Sequence, residues 1–305
     1  MSLSFKPKAN SIPIAKIKGT KNVIFLLPDD DTFQIIPDSN VRECIYKCSY
    51  CGVTVSSKQQ LIYHIKSRCK NTKNVRDIYP SISITQGIIQ KLPLDDHEII
   101  FITGPPKCGK TYWMNEYVKL YKKIFGGRVI IFSMHKQDPT LSKDIENYIL
   151  VDVTDDLLNE KFELKDLANS LVIFDDINSS KFPKATKYLL NLMEDISCNG
   201  RHHSINLIYI NQECRAGQIT KKILTMFTAL VIFPSSGETY QCEKLLKEYC
   251  GMNKSRLSRI MAMDTRWVMF SRPKPQYIIT EKSVSILGKE LYGDLVDINY
   301  QHPLI

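Results

Sequence analysis

The chain has 305 residues, 43% of them hydrophobic, with 41 Lys and Arg against 32 Asp and Glu. That composition supports one sizeable core with room for a small second module. The longest apolar runs, such as 99–102 and 129–132, fall far short of the roughly 20 residues a membrane helix needs, so no membrane span is expected. The first 19 residues contain no continuous apolar stretch, so no secretory signal is expected either.

Nine cysteines, most of them scattered singly, fit a reducing compartment better than a disulfide scaffold. The formal charge of +9 favours a polyanionic partner such as nucleic acid. Residues 1–90 carry 13 basic against 6 acidic side chains, so seven of the nine excess positive charges precede the motif-rich part of the chain.

In chain order, residues 1–43 mix Lys, Pro and Asp around one apolar run, 23–27, and read as a basic N-terminal arm. Residues 44–72 hold the cysteine cluster Tyr46-x-Cys48-x₂-Cys51-x₃-Val55-x₅-Leu61-x₂-His64-x₄-Cys69, which has zinc-finger spacing with Cys in place of the last His. Two cysteines on a tight knuckle, and a His and Cys about one helical turn apart, converge on tetrahedral Zn²⁺. Tyr46, Val55 and Leu61 supply the only core so small a module can have. A ββα finger with Cys48, Cys51, His64 and Cys69 as ligands is therefore expected. With His64 at helix position 7, Ser57, Gln60 and Tyr63 take the base-reading positions. One finger reads only about 3 base pairs, which leaves DNA and protein docking equally open. Residues 73–97, polar and punctuated by Pro80, Gly87 and Pro93, read as a linker.

From 98 to 285 short apolar runs alternate with amphipathic segments, the βαβ rhythm of an α/β domain with a mostly parallel sheet. Strands are expected at 99–103, 128–133, 171–175, 205–211 and 229–233, and helices at 111–124, 184–197, 220–227 and 238–249. Two further strands, 266–271 and 276–280, close the domain, and 286–305 form a C-terminal tail.

Between the first strand and helix lies Gly104-Pro105-Pro106-Lys107-Cys108-Gly109-Lys110-Thr111, the pattern G-x-x-x-x-G-K-[ST] in the context that the motif requires. Gly104 and Gly109 let the backbone curl so that consecutive N–H groups face the phosphates of ATP, and the following helix adds the positive end of its dipole. Lys110 supplies a point charge, and the Thr111 hydroxyl is a ligand for Mg²⁺. Pro105, Pro106, Lys107 and Cys108 contribute backbone, so the Cys108 thiol is assigned no chemistry.

The run Leu171-Val172-Ile173-Phe174-Asp175-Asp176 has the form of a Walker B strand, expected beside the phosphate-loop strand. Asp175 then holds Mg²⁺ through its water shell, and Asp176 orients and activates the attacking water as general base. The next strand ends in Asn211-Gln212, where a Gln amide can donate to a phosphate oxygen and accept from the lytic water.

Taken together, GPPKCGKT at 104–111, LVIFDD at 171–176 and NGRHHSINLIYINQ at 199–212 resemble the genome-packaging ATPases of poxviruses and other large double-stranded DNA viruses, within the FtsK/HerA group of P-loop ATPases. The resemblance spans about 98–271. It implies a RecA/ASCE-like P-loop fold with helices on both faces of the sheet, and a homo-oligomeric ring that threads duplex DNA with ATP bound between subunits. A capsid or portal-vertex protein is the implied docking partner, in a virus factory or nucleus of the infected cell. A Gly-Arg-His-like stretch precedes the Gln-ended strand in that family, which makes Arg201 the candidate arginine finger. The chain departs from the wider group at Asp176, where Glu is common. The competing readings are a helicase or replication ATPase of the same division, and a zinc-finger DNA-binding scaffold with a nucleotide-controlled switch.

Overall fold

The computed structural model describes residues 2–27, 46–47, 54–55, 78–94, 97–134, 148–159, 161–212, 218–234, 239–273 and 276–287. Strand β8 (Ile99–Thr103) is an unbroken apolar run whose residues are all buried. Its side chains alternate between two cores. Ile99 and Phe101 join one, Ile100 and Ile102 the other. The same alternation repeats in β9 (Arg128–Ser133), β11 (Ser170–Asp175), β12 (Asn206–Asn211) and β13 (Ala229–Ile232). A strand buried on both faces reads as continuously hydrophobic, and that is why these runs stand out in the sequence.

Five more strands complete the central sheet: β6 (Ile78–Ser83), β10 (Tyr148–Asp152), β14 (Val268–Ser271), β15 (Tyr277–Thr280) and β16 (Ser283–Leu287). The order is β10-β9-β11-β12-β8-β13-β14-β15-β16-β6. From β10 to β13 every neighbouring pair is parallel, and from β13 to β6 every pair is antiparallel. The expectation that the Walker B strand adjoins the phosphate-loop strand is corrected here: β12 lies between β11 and β8, bonded to both.

Helix α1 (Lys110–Phe125) follows the phosphate loop and buries Trp113, Met114, Tyr117 and Val118 in one core. Helices α2 (Pro183–Asn199), α3 (Gln218–Met226), α4 (Thr239–Cys250) and α5 (Lys254–Met261) pack the opposite core. Two faces are covered as expected, but not by helices alone. The α1 face also carries a second, antiparallel sheet in the order β1-β3-β2-β7 (β1 Ser2–Ser4, β2 Ile12–Ile17, β3 Val23–Leu27, β7 Ile89–Lys91). Its Ile14, Ile24, Leu26 and Ile89 share the core of α1.

Residues 2–27, read from sequence as an arm, are thus a folded sheet. Residues 78–83 and 89–91, read as linker, are strands in two different sheets. The strand β16 runs to Leu287, into the segment read as tail.

Within the expected finger, Tyr46–Lys47 (β4) pairs antiparallel with Thr54–Val55 (β5), Tyr46 opposite Val55 and Lys47 opposite Thr54. Cys48, Cys51, His64 and Cys69 lie outside the described residues.

Candidate nucleotide site

Because β9, β11, β12 and β8 run parallel and in step, their carboxyl ends form one edge, where crevices in open α/β sheets bind ligands. The register sets Ser133 beside Asp175, Asp175 beside Ile210, and Asn211 beside Thr103. Neighbouring strands lie about 4.8 Å apart, so the end of β11 stands about 10 Å from the phosphate loop across β12.

The loop 104–111 is built by close approach. A Cβ on Gly104 would lie 2.9 Å from Cys108 Sγ and 3.0 Å from Phe233 Cδ2, so any larger residue must displace one of them. Gly109 holds φ 112°, a left-handed conformation that side chains resist, and it opens α1. Lys107 also has positive φ, 66°. Lys110 Nζ donates to the carbonyls of Gly104 (2.6 Å) and Pro105 (2.8 Å). The cation is therefore folded over the mouth of the loop, against acceptors far weaker than a phosphate. The cradle that a Cβ would fill, the cation poised at its rim and the N-terminus of a 16-residue helix fit a bound triphosphate. Thr111, in the first turn of α1, and Asp175 offer the hard oxygen donors that Mg²⁺ takes.

Beyond β11 the chain turns sharply. Asp176 sits at φ 50°, ψ 32°, and its N–H donates to the Ile210 carbonyl at 3.1 Å. Among non-glycine residues Asp and Asn adopt this left-handed region most readily, which accounts for Asp where the resembling group often has Glu. Gln212 Nε2 donates to Asp176 Oδ2 at 2.7 Å, and Ser179 Oγ donates to Asp176 Oδ1 at 3.1 Å. Ser133 Oγ approaches Asp175 Oδ2 at 3.4 Å. Behind them, Asn178 Nδ2 (2.7 Å) and Asn211 Nδ2 (3.1 Å) both donate to the Tyr209 hydroxyl, tying the turn after β11 to β12.

The structure thus gathers Gly104, Gly109, Lys110, Thr111, Asp175, Asp176 and Gln212 at one edge. It does not bring Arg201 there. Arg201 is an exposed residue of the 3-10 turn Gly200–His203, before β12 begins, at the opposite edge of the sheet. A six-residue strand puts about 20 Å between the two edges. Sequence reasoning missed Phe233, the residue after β13, whose ring closes on both loop glycines. An apolar side chain at a strand end carries no signal of that role. It also missed Ser133 and the bond between Gln212 and Asp176, which depend on strand order.

No family model matches the chain. A stretch of 194 residues, 62% of the chain, is 26% identical to an uncharacterized protein, V3, of Sputnik virophage, over 77% of that protein. Among solved structures, 62% of the chain superposes on 99% of the DNA-packaging ATPase B204 of Sulfolobus turreted icosahedral virus, with a TM-score of 0.44 and 17% identity. The same share superposes on 98% of the genome-packaging NTPase B204 of Sulfolobus turreted icosahedral virus 2 in complex with ATP-gammaS, at 0.41 and 16%. TM-scores this low leave function to be read from the residues themselves.

Proposed function

We propose that the chain is a P-loop ATPase that hydrolyses Mg²⁺-bound ATP and uses the energy to move duplex DNA into a viral capsid. The observation that carries the hydrolytic reading is the hydrogen bond between Gln212 and Asp176, set across one strand from the cradle at 104–111. Lys110 exchanges the Gly104 and Pro105 carbonyls for phosphate oxygens, and the loop N–H groups hold the remaining charge. Thr111 and Asp175 hold the magnesium, which neutralises charge on the phosphates when bound. Asp176 accepts a proton from the attacking water, which the carbonyl oxygen of the Gln212 amide orients. Because Gln212 directly follows β12 and touches the base, loss of the terminal phosphate is felt directly by that strand.

DNA as the moved polymer is supported by the basic balance of the chain and by the resemblance of its three motif segments to packaging ATPases. Arg201, remote from its own site, acts in a neighbouring subunit's site in a ring assembly. The zinc module is supported by the antiparallel Tyr46–Val55 pair, since Cys48 and Cys51 fall between the two strands in the sequence as a ββα finger requires. About one zinc per chain, lost in Cys48→Ala, is expected by metal analysis; a zinc-free wild type removes the finger.

The test of the motor is turnover of ATP by the full chain with and without duplex DNA. Stimulation by DNA is expected, and turnover indifferent to DNA would count against translocation.

A further inference from the structure

The strand order gives the nucleotide a direction. The acids and Gln212 stand on the β12 side of the phosphate loop, so the cleaved end of a triphosphate points that way. The other end must run across β13 toward β14. The start of β14 pairs with the end of β13, Val268 opposite Ile232, which puts Arg266 and Trp267 on the same edge as the phosphate loop.

The side chains at that corner are aromatic. Tyr112, the residue after Thr111, is 44% exposed. The guanidinium of Arg266 lies 5.5 Å from its ring centre. Lys18 Nζ lies 5.6 Å from the same ring centre and donates to the Tyr112 hydroxyl at 3.3 Å. Arg266 is not loose: its Nε donates to Glu281 Oε1 at 2.7 Å and its Nη2 lies 2.6 Å from the same atom, which fixes the plane of the guanidinium. Beneath, Trp113 stacks on Tyr117 at 5.7 Å and meets Trp267 edge-on at 6.1 Å. A hollow opens here, lined by Gln90, Tyr112, Trp113, Glu116 and Trp267. Both tryptophans of the chain are thus in one corner beside the phosphate loop. A flat, partly apolar surface with a fixed cationic plane is what a nucleobase stacks on.

We propose that Tyr112 and Arg266 form the nucleobase platform of this site, with the base of a nucleoside triphosphate stacked on the pair. The assignment rests on the phosphate-loop reading and deepens it. Tyr112 and Arg266 hold the base, while Lys110 holds the phosphates.

The experiment compares binding of Mg²⁺-ATP with that of inorganic tripolyphosphate, which has no base, followed by tryptophan fluorescence and by isothermal titration. Tyr112→Ala and Arg266→Ala are each expected to weaken ATP by about ten-fold while tripolyphosphate binding stays as in wild type, and Tyr112→Phe to restore ATP binding. ATP, and not tripolyphosphate, is expected to change the emission of Trp113 and Trp267. Equal weakening of both ligands in Tyr112→Ala, or none of either, overturns the platform. The phosphate loop is judged separately by Lys110→Ala, which should lose both ligands. If Lys110→Ala binds both as wild type does, the loop reading fails; a wild type that binds neither overturns both assignments.

Discussion

Gln212 Nε2 donates to Asp176 Oδ2 at 2.7 Å, joining the end of one strand to the turn after its neighbour. With Ser179 Oγ on the other oxygen, the bond holds the carboxylate in one orientation, and it presents the amide carbonyl to the same space. Gln212→Ala is therefore expected to keep ATP binding and to lower turnover about 10²-fold, the cost typical of losing one positioned polar group. Gln212→Glu, which sets two carboxylates against each other, is expected to fare no better. A Gln212→Ala enzyme with wild-type turnover would remove the pair from the chemistry.

Gly104→Ala tests the cradle itself. Its Cβ would meet Cys108 Sγ at 2.9 Å and Phe233 Cδ2 at 3.0 Å, so these side chains or the loop must shift. A loss of about 1–3 kcal/mol is expected from overpacking, read in the melting temperature, together with weakened nucleotide binding. The double variant Gly104→Ala with Phe233→Leu, which makes room, should recover part of both.

A buried ion pair joins the N-terminal sheet to the rest of the protein. Lys91 Nζ lies 2.8 Å from Glu98 Oε1, with side chains 1% and 6% exposed. Glu98 Oε2 also accepts from the Tyr117 hydroxyl at 2.7 Å and from the Leu94 N–H at 2.9 Å. Removing one member leaves a charge buried without its partner, so Lys91→Met is expected to cost about 3–5 kcal/mol. Lys91→Met with Glu98→Gln should cost clearly less. Chemical denaturation of the two variants distinguishes them, and equal losses would show that the charges are not coupled.

The same cluster sets a pH dependence. Burial first, and the Glu98 charge second, push the Tyr117 phenol well above the usual tyrosine range. The unfolded chain releases that proton near pH 10, while the folded chain keeps it. Stability is therefore fully present below about pH 10 and falls as pH rises beyond it. Tyr117→Phe, which has no proton to lose, should show a shallower decline of melting temperature at alkaline pH. A decline as steep as wild type would place the titrating group elsewhere.

These residues also mark what was legible in the sequence. β8, β9, β11, β12 and β13 announce themselves as continuous apolar runs because both of their faces are buried, and the loop 104–111 is specified by local spacing alone. The N-terminal sheet is hidden because β2 mixes Lys and Pro with its apolar residues and opens with two exposed positions, Ile12 and Pro13. β7 is hidden because it carries Lys91, a charge that becomes a core residue only when Glu98 meets it. Pro80 disguises β6, an edge strand, where proline is tolerated. Strand order is not a local property: the insertion of β12 between β8 and β11 depends on long connections, and the bond between Gln212 and Asp176 follows from it. The Tyr112–Arg266 contact is invisible for the same reason, since 154 positions of sequence separate residues that the sheet brings together.

The most direct test is to measure ATP binding and phosphate release side by side, with Mg²⁺, for wild type and Asp176→Asn. Wild type is expected to bind and hydrolyse, and Asp176→Asn to bind as tightly while releasing phosphate about 10²- to 10⁴-fold more slowly. A variant that turns over like wild type would contradict the assignment of Asp176 as base, and a wild type that neither binds nor hydrolyses ATP would contradict the account as a whole.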